Sequence, residues 1–171
     1  KVGKSDEDLL DYLLYDSTYG NLSSFLYGFS KECSAEISKE HSFLIDGFPV
    51  KVLCETREPS RIGWDEEKVR LVVDCTGKFR DPAGEVRGNL AGGAEKVIVS
   101  APFRGITMPE DATTLIYGVN HLSFKPREHN IISAASCTTT ALAHMVKPLL
   151  EDERTSKILT ASMTTVHAAT N

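Results

Sequence analysis

The amino-acid sequence predicts an α/β fold built on a mainly parallel sheet. Three observations carry that expectation. Apolar residues run together without alternation in Arg70-Leu71-Val72-Val73-Asp74 and in Lys96-Val97-Ile98-Val99-Ser100, as in strands covered on both faces. Two shorter runs, Thr114-Leu115-Ile116-Tyr117 and Asn130-Ile131-Ile132-Ser133, have the same character. Helical or loop segments separate the runs, and parallel strands need such crossovers.

Residues 5 to 15 predict a helix. Ser5 followed by Asp8 resembles a capping box, and Leu9, Leu10, Leu13 and Leu14 share one face. Asp16 to Gly20 breaks that pattern, and residues 21 to 41 show no clear period. Ser42-Phe43-Leu44-Ile45, Asp46-Gly47 and Val50-Lys51-Val52-Leu53 predict a hairpin, with Pro49 lengthening its loop. Asp81 to Ala91 predicts a short helix weakened by Gly84 and Gly88. From Ser136 a helix follows, with Leu142, Met145, Val146, Leu149 and Leu150 on its apolar face. Pro148 is expected to kink or end it. Lys157 to Ala169, rich in Thr and apolar residues, reads as a long strand.

Composition narrows the function. The chain has 171 residues, enough for one domain with a core or a domain plus part of another. Its 41% hydrophobic and 25% charged residues are those of an ordinary globular protein. A net charge of -5 argues against a nucleic-acid or anionic-membrane partner, though it leaves room for a local phosphate pocket. The longest apolar runs are too short to span a bilayer. None of Cys33, Cys54, Cys75 and Cys137 sits in a C-x-x-C pair, so no metal site is expected. Free thiols in a reducing cytoplasm are the simplest reading. The first residue is Lys1, which suggests a processed or partial chain from which a targeting peptide could be missing.

Cys137 follows an apolar strand and opens a helix, where unpaired N–H groups and the helix dipole stabilise a thiolate. Ser136, Thr138 and Thr139 add hydroxyls to that turn, a place for a phosphate or an oxyanion. The other reading is a buried structural cysteine. On a strand, Thr165, His167 and Ala169 share a face, and a neutral His167 near Cys137 could take its proton. A structural strand histidine is the alternative, and spacing alone does not bring the two side chains together.

The segment Asn130-Ile131-Ile132-Ser133-Ala134-Ala135-Ser136-Cys137-Thr138-Thr139 resembles the active-cysteine motif of the glyceraldehyde-3-phosphate dehydrogenases. Met163-Thr164-Thr165-Val166-His167-Ala168-Ala169-Thr170-Asn171 resembles the active-histidine strand of that family. Three more stretches match in order: Tyr15-Asp16-Ser17-Thr18-Tyr19-Gly20, Val73-Asp74-Cys75-Thr76-Gly77-Lys78-Phe79, and Lys96-Val97-Ile98-Val99-Ser100-Ala101-Pro102 leading to Gly118-Val119-Asn120-His121.

The resemblance implies an incomplete Rossmann-like sheet. Residues 1–135 would be part of an NAD-binding domain, and 136–171 the beginning of a catalytic domain. It further implies a phosphorylating, NAD-dependent dehydrogenase of glycolysis, acting in the cytoplasm on glyceraldehyde 3-phosphate and inorganic phosphate. A related phosphorylated aldehyde is the alternative substrate. Cys137 would be the nucleophile and His167 its base. Ser136 and Thr138 match positions around inorganic phosphate, and Thr170 one near the substrate phosphate. Arg57 matches an adenine-side contact, while Thr76, Gly77 and Ser100 match the lining of the cofactor cleft. Read without the resemblance, Arg57 is a solvated surface charge and Thr76-Gly77 ends a strand. The family is typically tetrameric, so a homo-oligomer, or a need for further segments, is expected.

The chain departs from the pattern at Ala134 and Thr140, where asparagines are usual, and at Ala168 or Ala169, where an aromatic is usual. It contains no G-x-G-x-x-G turn for a dinucleotide pyrophosphate. A fragment inactive by itself is therefore expected. A non-enzymatic relative serving as a structural or interaction subunit is the alternative.

Overall fold

A computed structural model describes residues 5–38 and 42–167 and divides the chain into two compact units between Arg57 and Glu58. The first unit carries helix α1 (Asp6–Leu14), the short strands β1 (Tyr15–Asp16) and β2 (Gly20–Asn21), helix α2 (Leu22–Tyr27), and strands β3 (Ala35–Ile37), β4 (Phe43–Ile45) and β5 (Phe48–Val50). The Ser5 side chain accepts the Asp8 N–H at 3.3 Å, and Asp6, Glu7 and Asp8 place negative charge at the positive end of α1. Asp16 accepts the Thr18 and Tyr19 N–H groups at 2.8 Å each and so turns β1 back on β2.

Strands β3, β4 and β5 form an antiparallel sheet in that order. Asp46 and Gly47 both take positive φ, +50° and +81°, which makes a two-residue hairpin turn between β4 and β5. Pro49 does not lengthen that loop. It lies inside β5 opposite Leu44, on an edge strand where no N–H is needed. Strand β3 and helix α2 fall in the stretch that shows no sequence period. Both are short, and α2 depends on the Asn21 cap, whose side chain accepts the Ser24 N–H at 2.7 Å.

The second unit holds strands β6 (Leu71–Asp74), β7 (Lys96–Val99), β8 (Ala112–Thr114) and β9 (Ile131–Ser133), with helices α3 (Gly88–Ala91) and α4 (Cys137–Glu151). The four strands form one parallel sheet in the order β6-β7-β9-β8, so the α/β expectation holds. Register pairs Val72 with Val97, Val97 with Ile131, and Ile131 with Ala112. These residues join Val86, Ala94, Val99 and Ala101 in one buried cluster, with Trp64 and Leu90 packed against it.

The Lys96 ammonium ties the segment before β9 to β7, donating to the carbonyls of Pro126 (2.7 Å) and His129 (2.8 Å) and to Asn130 Oδ1 (3.1 Å). Arg87 forms a two-point pair with Asp111, just before β8.

Three expected elements differ. The run at 114–117 pairs two residues earlier, as β8, because the Asn120 side chain takes the Ile116 N–H at 2.7 Å and ends the ladder. The helix expected from Asp81 starts only at Glu85, as a 3-10 turn through Arg87 that continues into α3. Asp81 and the residues after it form a tight turn, in which Asp81 Oδ1 accepts the Ala83 N–H at 2.9 Å. The long strand expected over 157–169 is not one: residues 157–167 pair with no strand among the described residues. Threonine and valine favour extended backbone, but a strand exists only where a neighbour completes its ladder. Residues 168 and 169 lie outside the described residues.

Helix α4 starts where expected, with Ser136 as its cap, and runs through Pro148 as far as Glu151.

Candidate active site

All four strands of the second sheet run the same way, so their C-terminal ends share one edge. Ligands of open parallel sheets sit beyond that edge. Chain leaving β9 is held there by several hydrogen bonds. The buried Ser133 hydroxyl donates to the Ala101 carbonyl (2.7 Å) and accepts the Ala135 N–H (3.0 Å). The Ala134 N–H donates to the Val99 carbonyl at 2.9 Å. Ala135 then adopts φ +64°, a conformation that disfavours a residue with a Cβ. That kink turns the chain into Ser136 and α4.

Ser136 Oγ accepts the Thr139 N–H at 3.1 Å and lies 2.8 Å from Thr139 Oγ1. The N–H groups of Cys137 and Thr138, the first two residues of the helix, have no intrahelical acceptor. Their partial positive charge lies at the helix end that carries the Cys137 thiol, which is exposed. Burial as a core cysteine is therefore not its role.

His167 comes to the same turn. Its Nε2 lies 3.0 Å from Thr138 Oγ1, and Thr138 Oγ1 lies 3.9 Å from Cys137 Sγ. Cys137, Thr138 and His167 are thus in sequence along one chain of contacts. His167 reaches it from an exposed irregular segment, not from the strand face expected with Thr165 and Ala169. Thr170 lies outside the described residues.

Thr76 and Gly77 follow β6, and Ser100 follows β7, on the same edge of the sheet. The buried Asp74 organises them: its Oδ1 accepts the Thr76 hydroxyl at 2.6 Å and the Thr76 N–H at 2.8 Å. Its carbonyl accepts the Ser100 N–H at 2.9 Å, which joins the two strand ends. Gly77 turns at φ +65° with open space where a side chain would stand. Arg57 is exposed and belongs to the first unit. Asp74 was not singled out in the sequence, although an acidic residue two before a threonine at a strand end is a turn signal.

The four cysteines are free. Among the described residues no cluster of His, Cys, Asp and Glu could hold a metal ion, and no helix is long and apolar enough to cross a membrane.

No family profile matches the chain. Whole-sequence comparison does find relatives. The chain is 39% identical over 160 residues to a glyceraldehyde-3-phosphate dehydrogenase of Streptomyces coelicolor, a match covering 93% of the chain and 41% of that relative. It is 37% identical over 171 residues to one of Geobacillus stearothermophilus, covering 98% of the chain and 44% of the relative. A Bacillus cereus glyceraldehyde-3-phosphate dehydrogenase is 34% identical over 169 residues, with 98% and 44% covered. The chain thus spans less than half the length of these relatives, and the match extends over nearly all of its own length. By these matches the chain belongs to the glyceraldehyde-3-phosphate dehydrogenase family.

Proposed function

We propose that this chain carries the nucleophile, the base and part of the cofactor cleft of a phosphorylating, NAD-dependent glyceraldehyde-3-phosphate dehydrogenase of glycolysis. The observation that carries the reading is an exposed thiol at the N-terminus of α4 with a histidine ring on the next side chain. On this reading residues 1–135 are part of the NAD-binding domain and 136–171 begin the catalytic domain. The names of the relatives support glyceraldehyde 3-phosphate as the substrate, and inorganic phosphate is assigned beside it as the group that takes up the acyl product.

Cys137 attacks the aldehyde carbon, His167 takes the thiol proton, and a thiohemiacetal forms. Its hydride leaves, the resulting thioester stays on Cys137, and inorganic phosphate cleaves it to an acyl phosphate. NAD supplies the hydride acceptor when bound. Ser136 and Thr138 hold the attacking phosphate, with hydroxyls and free N–H groups on the same turn. Thr170 is assigned to the substrate phosphate.

Thr76, Gly77 and Ser100 fit an edge of the nicotinamide cofactor. They sit beyond two adjacent parallel strands, and the open space at Gly77 lets a flat ring approach. Arg57 is assigned to the adenine side. None of these residues fits the pyrophosphate, because the sequence holds no G-x-G-x-x-G turn. The free cysteines agree with a cytoplasmic enzyme, and a homo-oligomer is the expected assembly.

Thiol labelling tests the reading. An ordinary thiol is largely protonated below pH about 8.5 and alkylates slowly there. Cys54 and Cys75 are exposed and serve as internal references. Cys137 is expected to label faster than both between pH about 5 and 8, and His167→Ala is expected to slow it. Labelling of Cys137 at the rate of Cys54 and Cys75 removes the nucleophile and the reading with it.

A further inference from the structure

The Gly118 residue is gripped from both ends. Its N–H donates to His121 Nδ1 at 2.9 Å, and its carbonyl accepts the Lys147 ammonium of α4 at 2.6 Å. A second side chain of α4 closes over it: a Cβ at Gly118, whose φ is +79°, would stand 3.3 Å from His144 Nε2. Asn120 stiffens the turn, since its Oδ1 accepts the Ile116 N–H at 2.7 Å and its Nδ2 donates to the Thr114 carbonyl at 3.0 Å. The turn leaves β8 on the edge of the sheet from which α4 also starts. Helix α4 has no buried residue, and Met145, Leu149 and Leu150 are exposed, so a polar contact weighs more in seating it.

We propose that His121 and Lys147 are positioning residues that seat the nucleophile helix on the end of β8 through Gly118, and that acid releases this hold. Calling α4 the nucleophile helix rests on the reading of Cys137 above; the hold itself does not.

A ring nitrogen that accepts an N–H carries no proton, so the bonded His121 ring is neutral, with its proton on Nε2. A proton on Nδ1 removes the acceptor and sets two donors face to face. It also adds positive charge beside the residue that holds Lys147. The other groups that titrate or carry charge around the turn are Tyr117, whose ring centroid lies 4.5 Å from that of His121, and His144, Lys147 and Glu151 on α4. Glu151 lies 3.6 Å from the Lys147 ammonium and offsets part of its charge. His144 uses its Nδ1 to donate to the Thr140 carbonyl at 2.9 Å and gives Gly118 no acceptor in place of His121. The hold is therefore present where imidazoles are neutral, above pH about 6.5, and is lost as the pH falls below that range.

The test is amide hydrogen exchange of the full chain at pH about 8 and about 5, on either side of the imidazole range, followed residue by residue by NMR. Exchange of Gly118 and of the amides at 143–147 is taken relative to Ile131–Ser133 in the interior of the sheet, which cancels the intrinsic effect of pH. In the parent this ratio is expected to rise about three- to tenfold at the lower pH, as for one lost hydrogen bond. His121→Asn keeps an acceptor near the place of Nδ1 and does not titrate, so its ratio is expected to stay within about twofold across the same range. His121→Ala is expected to show the raised ratio at both pH values. Lys147→Met keeps the stem without the ammonium and is expected to raise the ratio for 143–147 at both, with Lys147→Arg restoring it. Ring nitrogen shifts give a second readout, in which His121 is expected as the Nε2–H tautomer at pH about 8.

A parent ratio that does not change with pH overturns the proposal. So does a His121→Asn ratio that rises like the parent's, or a His121 ring protonated on Nδ1 at pH about 8. An unchanged ratio for 143–147 in Lys147→Met overturns the part given to Lys147. Should His121→Ala also strip protection from Ile131–Ser133, the whole sheet has opened, and the parent and His121→Asn decide the question. Cys137 labelling like Cys54 and Cys75 removes the nucleophile and leaves the exchange result standing.

Discussion

Gly93 shows how much one missing Cβ matters in this chain. Its φ is +104°, and a Cβ there would stand 2.6 Å from Asp65 Cβ and 2.7 Å from the Asp65 nitrogen. Neighbouring Gly92 would place one 2.6 Å from the Pro59 carbonyl oxygen. The two glycines let the loop at 59–65 lie against the end of α3, where the Trp64 N–H donates to the Gly92 carbonyl at 2.6 Å. Gly93→Ala is expected to destabilise the second unit by about 2–4 kcal/mol, from backbone strain plus overpacking. Urea unfolding followed by Trp64 fluorescence measures it, and an unchanged midpoint would refute it. Single residues also set the limits of reading from sequence. Cys137 and Ser136 were legible because a cap and a helix start leave a local pattern. The approach of His167 to the Thr138 hydroxyl, 29 residues before it, leaves none.

Among the elements, α4 contains its own weak point. Pro148 lies inside the helix and supplies no N–H to the ladder, yet the helix continues to Glu151. Pro148→Ala is expected to raise its stability by about 1–3 kcal/mol, read from thermal melting by circular dichroism. A melting temperature at or below the parent's would count against it. In the first unit the β4–β5 turn has an acid sensitivity. The Tyr27 hydroxyl and the Ser34 N–H (2.9 Å) both donate to the Asp46 carboxylate, with the Lys31 ammonium 3.8 Å away. The Tyr27 hydroxyl first, and then the Ser34 N–H, hold the Asp46 carboxyl below its ordinary range. A folded value below the unfolded one contributes stability above pH about 4, and that stability is lost as pH falls through the lowered value. Asp46→Asn is therefore expected to flatten the acid limb of the stability profile between pH about 5 and 2. An acid limb of unchanged steepness in the variant would show that other carboxylates set it. The turn itself was legible from Asp46-Gly47, whereas β3 was not, because three residues offer no period.

For the whole molecule the open question is the edge of the main sheet. Among the described residues β6 pairs on one side only, with β7, and its Leu71 and Val73 are 51% and 55% exposed. An unpaired strand with apolar side chains is a template for a second copy. The chain is expected to self-associate, and Val73→Lys to weaken that association, as read by sedimentation velocity. Equal sedimentation of both proteins would show that this edge is not the contact. By itself the sequence determined the buried parallel strands, the helix that opens at Cys137 and the family, because continuous apolar runs, a serine cap and ordered motifs are local signals. Only the tertiary structure decided that the segment carrying His167 is not a strand, since a strand depends on a neighbour to pair with. It alone also decided that the His167 ring meets the Thr138 hydroxyl beside Cys137, because contact between residues distant in sequence follows from how the chain folds back and not from the pattern around either one.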